Sequence, residues 1–368
     1  MNGYFIGLMS GTSADGVDAA LVEFSPAPRL LASHFLSYPP PLQQQLLHFA
    51  AGHYQGDAVD QLGALDTELG GLFAEAALAV ISKGEISKSD ISAIGSHGQT
   101  VRHRPKGKHP FTLQIADPNI ITACTGLTTV ADFRRRDVAQ GGEGAPLVPA
   151  FHHAVFSAIG EHRAVVNVGG IANITLLPAG GNAVSGFDTG PGNVLMDAWS
   201  RSCLRQPYDA NGVFAASGKV DAVLLDALLA DAYFHRPPPK STGREHFSET
   251  WLTEKLATRK LPAADVMATL CELTARSIAD AIQRQAPQTM SVLICGGGAH
   301  NAQLGKRLTG YLPHCMLSTT EAFGVHPDWV EAVAFAWLAR ETLAGRPGNL
   351  PSVTGAQRPV VLGGIYPA

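Results

Sequence analysis

The sequence has few cysteines and no long apolar run, and each shortage excludes a class of protein. The five cysteines among 368 residues are scattered, and no two have the spacing of metal ligands. This pattern is typical of a reduced, cytoplasmic chain rather than of a disulfide-bonded secreted domain. No apolar stretch approaches the length of a membrane span, and the N-terminus lacks the basic and apolar segments of a secretory signal. We therefore expect a cytoplasmic protein without a membrane partner.

The chain also has little excess of charge of either sign. The formal net charge is -4, so there is no electrostatic reason to expect nucleic acid or an acidic membrane surface as a partner. Hydrophobic residues make up 45% and charged residues 16% of the chain, and both are globular values. A chain of 368 residues is long enough for two domains with large buried cores.

The N-terminal stretch has the pattern of a β-hairpin with an unusual turn. Residues 4–9 form an apolar strand, residues 10–16 a polar turn with two glycines, and residues 17–24 a second strand. The turn lacks the Gly-Lys-Ser/Thr sequence and the following helix of a Walker A loop. For the same topological reason it is not a dinucleotide fingerprint.

The composition of this turn nevertheless favours an anion. Its small residues let backbone N–H groups approach a phosphate, and the hydroxyls of Ser10, Thr12 and Ser13 add donors. Asp15 and Asp18 would repel a bare phosphate, so we expect a divalent cation between these carboxylates and the phosphate. The alternative is a plain hairpin with a flexible turn.

The same order of elements returns in the second half of the chain. Residues 163–168 form a strand, residues 169–173 a small-residue turn, and residues 174–177 another strand. Two halves that each begin with a strand, a phosphate-type turn and a strand indicate an internal duplication.

The glycine-rich stretch at residues 140–146 predicts where the halves meet. We expect a boundary or hinge close to it, between about 135 and 150. Residues 1–140 are then an N-terminal lobe, completed by the C-terminal segment 345–368, and residues 141–344 are a C-terminal lobe. The strongest helical periodicity lies at residues 59–83, 262–285 and 331–344.

Three further polar turns follow short apolar strands, at residues 96–100, 187–193 and 296–301. In a two-lobed α/β protein such strand ends can converge on one cleft. Two glycine-rich hairpins suit the phosphates of a nucleotide, and the flat backbone of Gly296, Gly297 and Gly298 suits its adenosine. For the triple glycine alone, a flexible loop is the alternative.

Asp188 is the carboxylate best suited to chemistry. It lies in a stretch of small residues that we predict to be a turn, where a carboxylate can reach a ligand hydroxyl or water and accept its proton. The alternative is that Asp188 caps the helix predicted to start near Val194. Asn193 is nearer to that helix and is also a good cap.

His97, Gln99 and Glu331 are candidates for sugar binding. His97 alone is typical of a buried structural histidine, and the adjacent Gln99 favours hydrogen bonding to a sugar. Glu331 begins an apolar helix, where a glutamate usually compensates the helix dipole. If it faces the cleft, Glu331 would hold a sugar hydroxyl.

The ordered set of motifs strongly resembles one family, the anhydro-N-acetylmuramic acid kinases. The motifs are GLMSGTSADGVD at 7–18, SHGQT at 96–100, ADFR at 131–134, NVGGIAN at 167–173, FDTGPGN at 187–193, CGGGA at 295–299 and EAVAFA at 331–336. Any one of them is modest, but together they cover nearly the whole chain. The resemblance implies an α/β fold of the actin, sugar kinase and heat-shock ATPase type, with duplicated ribonuclease H-like halves around an ATP cleft.

The resemblance also implies roles for individual residues. Asp188 matches the catalytic aspartate. The implied cofactor-binding residues are Gly11, Thr12, Ser13, Ala14, Asp15, Gly16, Val17, Asp18, Gly169, Gly170, Asn173, Gly296, Gly297 and Gly298. The implied substrate-binding residues are His97, Gln99, Asp132, Arg134 and Glu331. ATP and Mg²⁺ are the implied cofactors, with the ion near Asp15 or Asp18 and its ligands left open.

The implied reaction converts 1,6-anhydro-N-acetylmuramic acid, ATP and water to N-acetylmuramic acid 6-phosphate and ADP, in peptidoglycan recycling and amino-sugar catabolism. Asp188 would take a proton from the water that opens the anhydro bridge, and the freed O6 would attack the γ-phosphate. The family further suggests a homodimer. Two alternatives stay open, namely a kinase acting on an ordinary sugar hydroxyl and a nucleotide-dependent regulator or chaperone-type ATPase of the same superfamily.

Overall fold

A computed structural model describes residues 3–181, 183–257 and 259–368. Its strands are β1 (Gly3–Met9), β2 (Gly16–Phe24), β3 (Pro28–Ser37), β4 (Ile91–Ser96), β5 (Gln99–Arg104), β6 (Phe111–Ile115), β7 (Thr129–Ala131), β8 (Arg163–Val168), β9 (Ile171–Leu177), β10 (Ser185–Pro191), β11 (Ser291–Cys295), β12 (Met316–Thr319) and β13 (Gly364–Tyr366). The two hairpins predicted from strand and turn patterns are therefore confirmed, as β1–β2 and β8–β9.

Helices connect and cover these strands. They are α1 (Pro40–Ala51), α2 (Ala58–Gly84), α3 (Pro118–Thr125), α4 (Arg135–Ala139), α5 (Val148–Phe156), α6 (Val194–Leu204), α7 (Val213–Ser217), α8 (Ala222–Leu229), α9 (Ala232–His235), α10 (Glu249–Leu256), α11 (Ala263–Gln285), α12 (Ala302–Tyr311), α13 (Val330–Leu343) and α14 (Pro351–Thr354). The three helices predicted from periodicity are confirmed as α2, α11 and α13. In the described part of the chain, no helix has both the length and the apolarity needed to cross a membrane.

The chain divides into two compact units. The first contains the residues up to Val155 together with Gly324–Ala368, and the second is Phe156–Phe323. We predicted divisions after residues 140 and 344, whereas α5 as far as Val155 and the whole of α13 lie in the first unit. The reason for α13 is its packing on the first sheet, which no local pattern of the helix itself reveals.

The first unit is built on a six-stranded sheet with the order β13-β7-β4-β1-β2-β3. Strands β1, β2 and β3 form an antiparallel meander, and β4 and β7 lie parallel to β1 and β4 respectively. The C-terminal strand β13 pairs antiparallel with β7, so the end of the chain completes this sheet. Strands β5 and β6 form a separate hairpin.

The second unit repeats this arrangement in a five-stranded sheet with the order β10-β9-β8-β11-β12. Strands β8, β9 and β10 form the antiparallel meander, and β11 and β12 continue the sheet in parallel. An antiparallel meander followed by parallel strands on the side of its first strand is the ribonuclease H-like order. Its presence in both units confirms the predicted duplication and the predicted α/β fold class.

Two glycines let helix α13 lie directly on the first sheet. A Cβ on Gly7 in β1 would overlap the Ala332 carbonyl oxygen, and a Cβ on Gly95 in β4 would overlap that of Phe335. Because only glycine permits this approach, the backbone of α13 rests on the strands themselves. The contact fixes the first turn of the helix, which carries Glu331, beside the β1–β2 hairpin.

Candidate active site

The turn between β1 and β2 is held from inside the first unit. The Ser10 hydroxyl is buried, lies 2.7 Å from both the Gly16 carbonyl oxygen and Gln99 Oε1, and accepts a hydrogen bond from Tyr38 at 3.0 Å. Gln99 Nε2 donates to the Gly11 carbonyl oxygen at 3.0 Å. The Ser10 hydroxyl is therefore engaged within the protein. It is not the free donor to a phosphate that the composition of the turn predicted. Both ends of the Gln99 amide brace the turn, and its contact with substrate stays a prediction.

The residues of this turn differ in what they can offer a ligand. The side chains of Ala14 and Val17 are buried, so only their backbone groups can reach one. Thr12 and Asp15 are exposed, and the Ser13 hydroxyl donates to the Asp15 carboxylate at 2.7 Å. Gly16 is required by packing, because a Cβ there would overlap the Leu36 carbonyl oxygen on β3.

Asp18 lies at the end of the turn among other carboxylates. Burial, together with the nearby charges of Glu331, Asp15 and Asp328, raises its pKa to about 7. Burial likewise raises the pKa of Glu331, although the Arg134 guanidinium opposes the rise. Crowded carboxylates of this kind lower their free energy when a cation joins them.

Arg134 links two of the predicted substrate-binding residues. Its Nε and Nη2 groups donate to His97 Nε2 at 3.0 and 2.9 Å, and its Nη1 group donates to the Gly144 carbonyl oxygen at 2.8 Å. Burial and the Arg134 charge hold the pKa of His97 well below its usual range, so the imidazole is neutral and accepts at Nε2. Its ring packs 4.7 Å from that of Phe335 on α13.

Asp132 follows the end of β7, next to the strand β4 that leads to His97. It has a left-handed backbone with φ of 60°, and its carboxylate lies 3.5 Å from Arg135 Nε. Burial raises the pKa of Asp132. Since β4 and β7 are parallel neighbours, their carboxyl ends bring Asp132 and His97 to the same edge of the sheet.

The second unit carries its own polar row. Asn167 on β8, Asn173 on β9 and Asp188 on β10 are cross-strand partners in register. All three are half-buried at the edge of the sheet where the β8–β9 turn lies. Neighbouring positions across antiparallel strands place side chains on the same face, so the two amides and the carboxylate lie side by side.

Asp188 lies within strand β10, so the prediction that it sits in a turn is wrong. The strand pairs with β9 as far as Pro191, with an irregularity between Asp188 and Gly190. Burial raises the pKa of Asp188 to about 6, and a hydrogen bond from the Thr242 N–H and the charge of Lys240 oppose that rise. Its carboxylate accepts the Thr242 N–H at 3.0 Å.

The backbone of Asp188 is held as firmly as its carboxylate. Its N–H donates to the Lys240 carbonyl oxygen at 3.2 Å, and its carbonyl oxygen accepts the Tyr233 hydroxyl at 2.7 Å. Asp188 does not cap helix α6. Nor does Asn193, which stands at the N-cap position but donates its amide to the Val168 carbonyl oxygen at 3.1 Å.

The two glycine turns of the second unit meet beside this row. The carbonyl oxygens of Gly169 and Gly170 accept N–H groups from the start of α6 at 2.8 to 3.0 Å. A Cβ on Gly296 would overlap Asn167 Oδ1, and one on Gly298 would overlap the Val168 side chain. Gly297 is exposed and has room. Close packing against β8 therefore accounts for two of the three glycines.

Comparison with known proteins now bears on the chain as a whole. Residues 3–368 match the family model described as anhydro-N-acetylmuramic acid kinase. The chain belongs to this family. A relative of that name from Xanthomonas campestris pv. campestris is 54% identical over 99% of this chain and 97% of its own length. One of the same name from Coxiella burnetii is 51% identical over 98% and 97% respectively.

A distant resemblance to a solved structure accompanies these matches. Component A of (R)-2-hydroxyglutaryl-CoA dehydratase from Acidaminococcus fermentans matches 93% of this chain and 99% of its own, with 13% identity and a TM-score of 0.49. At that level the fold follows from the strand order described above and not from the comparison.

In this kinase-family chain, the structure gathers the predicted residues into two sets. In the first unit, the turn at 11–18 lies with Glu331 and, through Arg134, with His97. In the second unit, Asp188 and Asn173 lie with the two glycine turns. Their assignment to cofactor and substrate stays a prediction.

Sequence analysis assigned no role to the segment 236–244. This segment has no helix or strand, but its Lys240 and Thr242 hold Asp188. The Arg244 guanidinium lies beside Gly170, 3.5 Å from where a Cβ would stand, and its charge acts on Asp197 of α6. The concentration of Ser, Thr, Gly and basic residues in segment 236–244 was the available signal, since that composition is typical of loops that contact anions.

The carboxylates fit a metal ion only in part. Within residues 3–181, 183–257 and 259–368, no three His, Cys, Asp or Glu side chains are grouped so as to hold one. The crowded carboxylates around Asp18 suit an ion whose remaining ligands are water and phosphate oxygens, which is the usual way proteins hold Mg²⁺ with a nucleotide.

Proposed function

We propose that this protein is an ATP-dependent kinase that opens the 1,6-anhydro ring of 1,6-anhydro-N-acetylmuramic acid with water and phosphorylates O6, giving N-acetylmuramic acid 6-phosphate and ADP. Membership of the anhydro-N-acetylmuramic acid kinase family over residues 3–368 carries the proposal. The reaction would serve peptidoglycan recycling and amino-sugar catabolism. We further propose a cytoplasmic location and a homodimer.

Asp188 acts as the general base in this proposal. It removes a proton from the water that attacks the anomeric carbon, and the bond between that carbon and the bridging oxygen breaks. The oxygen released at O6 then attacks the γ-phosphate. A pKa of about 6 supports this role, because the carboxylate is ionised at neutral pH and is more basic than an ordinary aspartate.

The surroundings of Asp188 support a fixed geometry for that step. Thr242 holds one carboxylate oxygen, and Lys240 and Tyr233 hold the backbone on either side. The second carboxylate oxygen then remains to accept the proton. Asn173, adjacent to Asp188 across the sheet, can orient the water or the sugar through its amide.

The β1–β2 turn binds phosphate groups in this proposal, through the backbone of residues 11–16. Asp15 and Asp18 would hold Mg²⁺ through its water shell, together with the nucleotide. When bound, the ion neutralises phosphate charge. Asp18 supports this assignment because its pKa of about 7 reflects a buried carboxylate crowded by like charges.

Arg134, His97 and Glu331 contact the amino sugar in this proposal. The neutral His97 and the charged Arg134 form a rigid pair, since both Nε and Nη2 of the arginine donate to the imidazole. The remaining donors of Arg134 suit a carboxylate, and the substrate carries one on its lactyl group. Glu331 then accepts from a sugar hydroxyl, and Asp132 can do the same.

Mass spectrometry of the sugar tests the reaction. The protein is mixed with Mg²⁺, ATP and 1,6-anhydro-N-acetylmuramic acid. A gain of one water plus one phosphoryl group is the expected result. A gain of a phosphoryl group alone would make the protein an ordinary sugar kinase, and an unchanged sugar would favour a nucleotide-dependent regulator.

A further inference from the structure

A pocket of about 180 Å³ lies in the second unit beside strand β10. Phe187 and Thr189, the neighbours of Asp188 in the strand, both line it, whereas Asp188 does not. Alternate residues of a strand face opposite sides of its sheet, so this pocket lies behind the strand as seen from Asp188. We call it the β10 back pocket. The kinase reaction proposed above leaves it unused.

The β10 back pocket is lined by an excess of positive charge. Its lining includes four cationic side chains, Arg236, Lys240, Arg276 and Arg284, against one carboxylate, Asp280. Arg284 approaches that carboxylate only at 3.5 Å. Burial lowers the pKa of Lys240, and the charges of Arg284 and Arg236 lower it further. The charges of Lys240, Arg236 and Arg284 therefore oppose one another at this pocket.

The volume and shape suit a small ligand. The volume of about 180 Å³ is many times the ~10–15 Å³ that a cavity needs to hold one water molecule. Phe187, Leu229 and Phe234 supply apolar walls beside the cations. Arginine forks match the oxygens of phosphate groups.

We propose that the β10 back pocket binds a phosphate group, either as inorganic phosphate or on a small phosphorylated molecule, and that its occupation weakens the acidity of Asp188. The segment 236–244 supplies the connection. Arg236 and Lys240 line the pocket, while the carbonyl oxygen of Lys240 and the N–H of Thr242 hold Asp188.

The direction of the effect follows from the charges. The Lys240 ammonium lies 3.1 Å from the Tyr233 carbonyl oxygen and acts on Asp188, whose pKa it lowers. A phosphate in the pocket would draw Lys240 towards itself and add negative charge behind β10. Both changes favour the protonated form of Asp188 and raise its pKa. The binding part is independent of the kinase proposal, and the effect on turnover rests on it.

Calorimetric titration of the full chain without sugar or ATP tests the binding. Inorganic phosphate and glucose 6-phosphate are the probes, and the variant is Arg276→Gln/Arg284→Gln, which leaves segment 236–244 intact. We expect the variant to bind the better probe about ten-fold more weakly. Lys306→Gln, an exposed cation outside the pocket, is the matched control and should bind like the wild type.

The comparison of outcomes decides the proposal. Equal binding by wild type and double variant, or no binding by either, would overturn it. If the wild type binds glucose 6-phosphate more tightly than inorganic phosphate, the ligand is an organic phosphate. If it binds the two probes equally, the ligand is phosphate itself. Circular dichroism checks the fold of the double variant. Arg284→Gln alone serves as a milder variant, which we expect to bind the better probe about three-fold more weakly.

The pH dependence of kcat at saturating ATP tests the connection to Asp188. The better probe should move the acid limb of the wild-type profile to higher pH by roughly 0.5 pH unit. The double variant should show no such movement. A wild-type limb that stays in place when the probe is bound would overturn the connection. A protein without sugar turnover would instead contradict the proposed function, while the titration would still decide the binding.

Discussion

The substitution Asp188→Asn separates the charge of the carboxylate from its shape. The rise of the Asp188 pKa from 3.8 to about 6 means that the folded protein disfavours the charged form. Since each pH unit of such a difference amounts to about 1.4 kcal/mol, the charged group makes folding less favourable by about 3 kcal/mol. Asparagine keeps the shape and can still accept the Thr242 N–H. We expect the variant to be more stable by about 1 to 3 kcal/mol at pH 8 and to lose turnover.

The sign of the pH dependence follows from proton binding. Between about pH 4 and pH 6 the folded state holds the Asp188 proton more firmly than the unfolded state does. The contribution of Asp188 to wild-type stability therefore falls as the pH rises through this window and stays low above it. The stability gained by Asp188→Asn should be full at pH 8 and vanish below about pH 4. Urea unfolding at pH 8, 6 and 4 measures it.

Turnover of the same variant tests the chemistry. Removing a general base typically lowers kcat by about 10² to 10⁴-fold, and ATP affinity should change by less than about two-fold. Release of ADP and the mass of the sugar are the assays. Asp197→Asn is the matched control, because burial raises the pKa of Asp197 to about 6 as well. It should gain stability and keep turnover within about five-fold.

Two results would refute this reasoning. Near-normal turnover of Asp188→Asn would remove Asp188 from the role of base. Equal stability of variant and wild type at both pH 8 and pH 4 would contradict the account of its raised pKa by burial. A loss of turnover in Asp197→Asn as large as in Asp188→Asn would show that the loss is not specific to the proposed base.

Three further substitutions test the first unit. Gly7→Ala should destabilise the fold by about 1 to 3 kcal/mol in urea unfolding, because its Cβ would overlap the Ala332 carbonyl oxygen, whereas Gly63→Ala, which has open space, should not destabilise it. Arg134→Lys loses the forked bonds to its neighbours and should raise KM for the amino sugar about ten-fold, with KM for ATP unchanged. Asp18, with a pKa of about 7, is about half protonated at pH 7, so binding of Mg²⁺ and ATP should release protons. Calorimetry in buffers of different ionisation enthalpy should show that proton release in the wild type and a smaller one in Asp18→Asn. Equal release by both proteins would show that Asp18 does not take part in binding the ion.

The local sequence determined much of the architecture. Helices α2 and α11 follow from apolar residues at helical spacing, and each hairpin follows from two apolar runs around small residues. Because such patterns act over a few residues, they can be read without knowing the fold. The ordered motifs likewise indicated the family, since each keeps its residues together in the chain.

The tertiary structure alone decided how the candidate residues are used. Ser10 was predicted to donate to a phosphate, but its hydroxyl lies against Gln99 inside the unit, 89 residues away in the chain. Gly16 also permits the close packing of β3, a role that its place in the turn did not suggest. No local pattern distinguishes these uses, because each depends on what another strand brings alongside.

Asp188 shows most clearly what the local sequence indicates and what the tertiary structure adds. Its residue type and small neighbours pointed to chemistry, but its place within a strand and its raised pKa come from the sheet around it. Thr242, which holds its carboxylate, lies 54 residues away in a segment without periodicity. A lone aspartate carries no sign of burial in its own sequence, so only the folded chain sets its proton affinity, through desolvation and the dipoles packed against it.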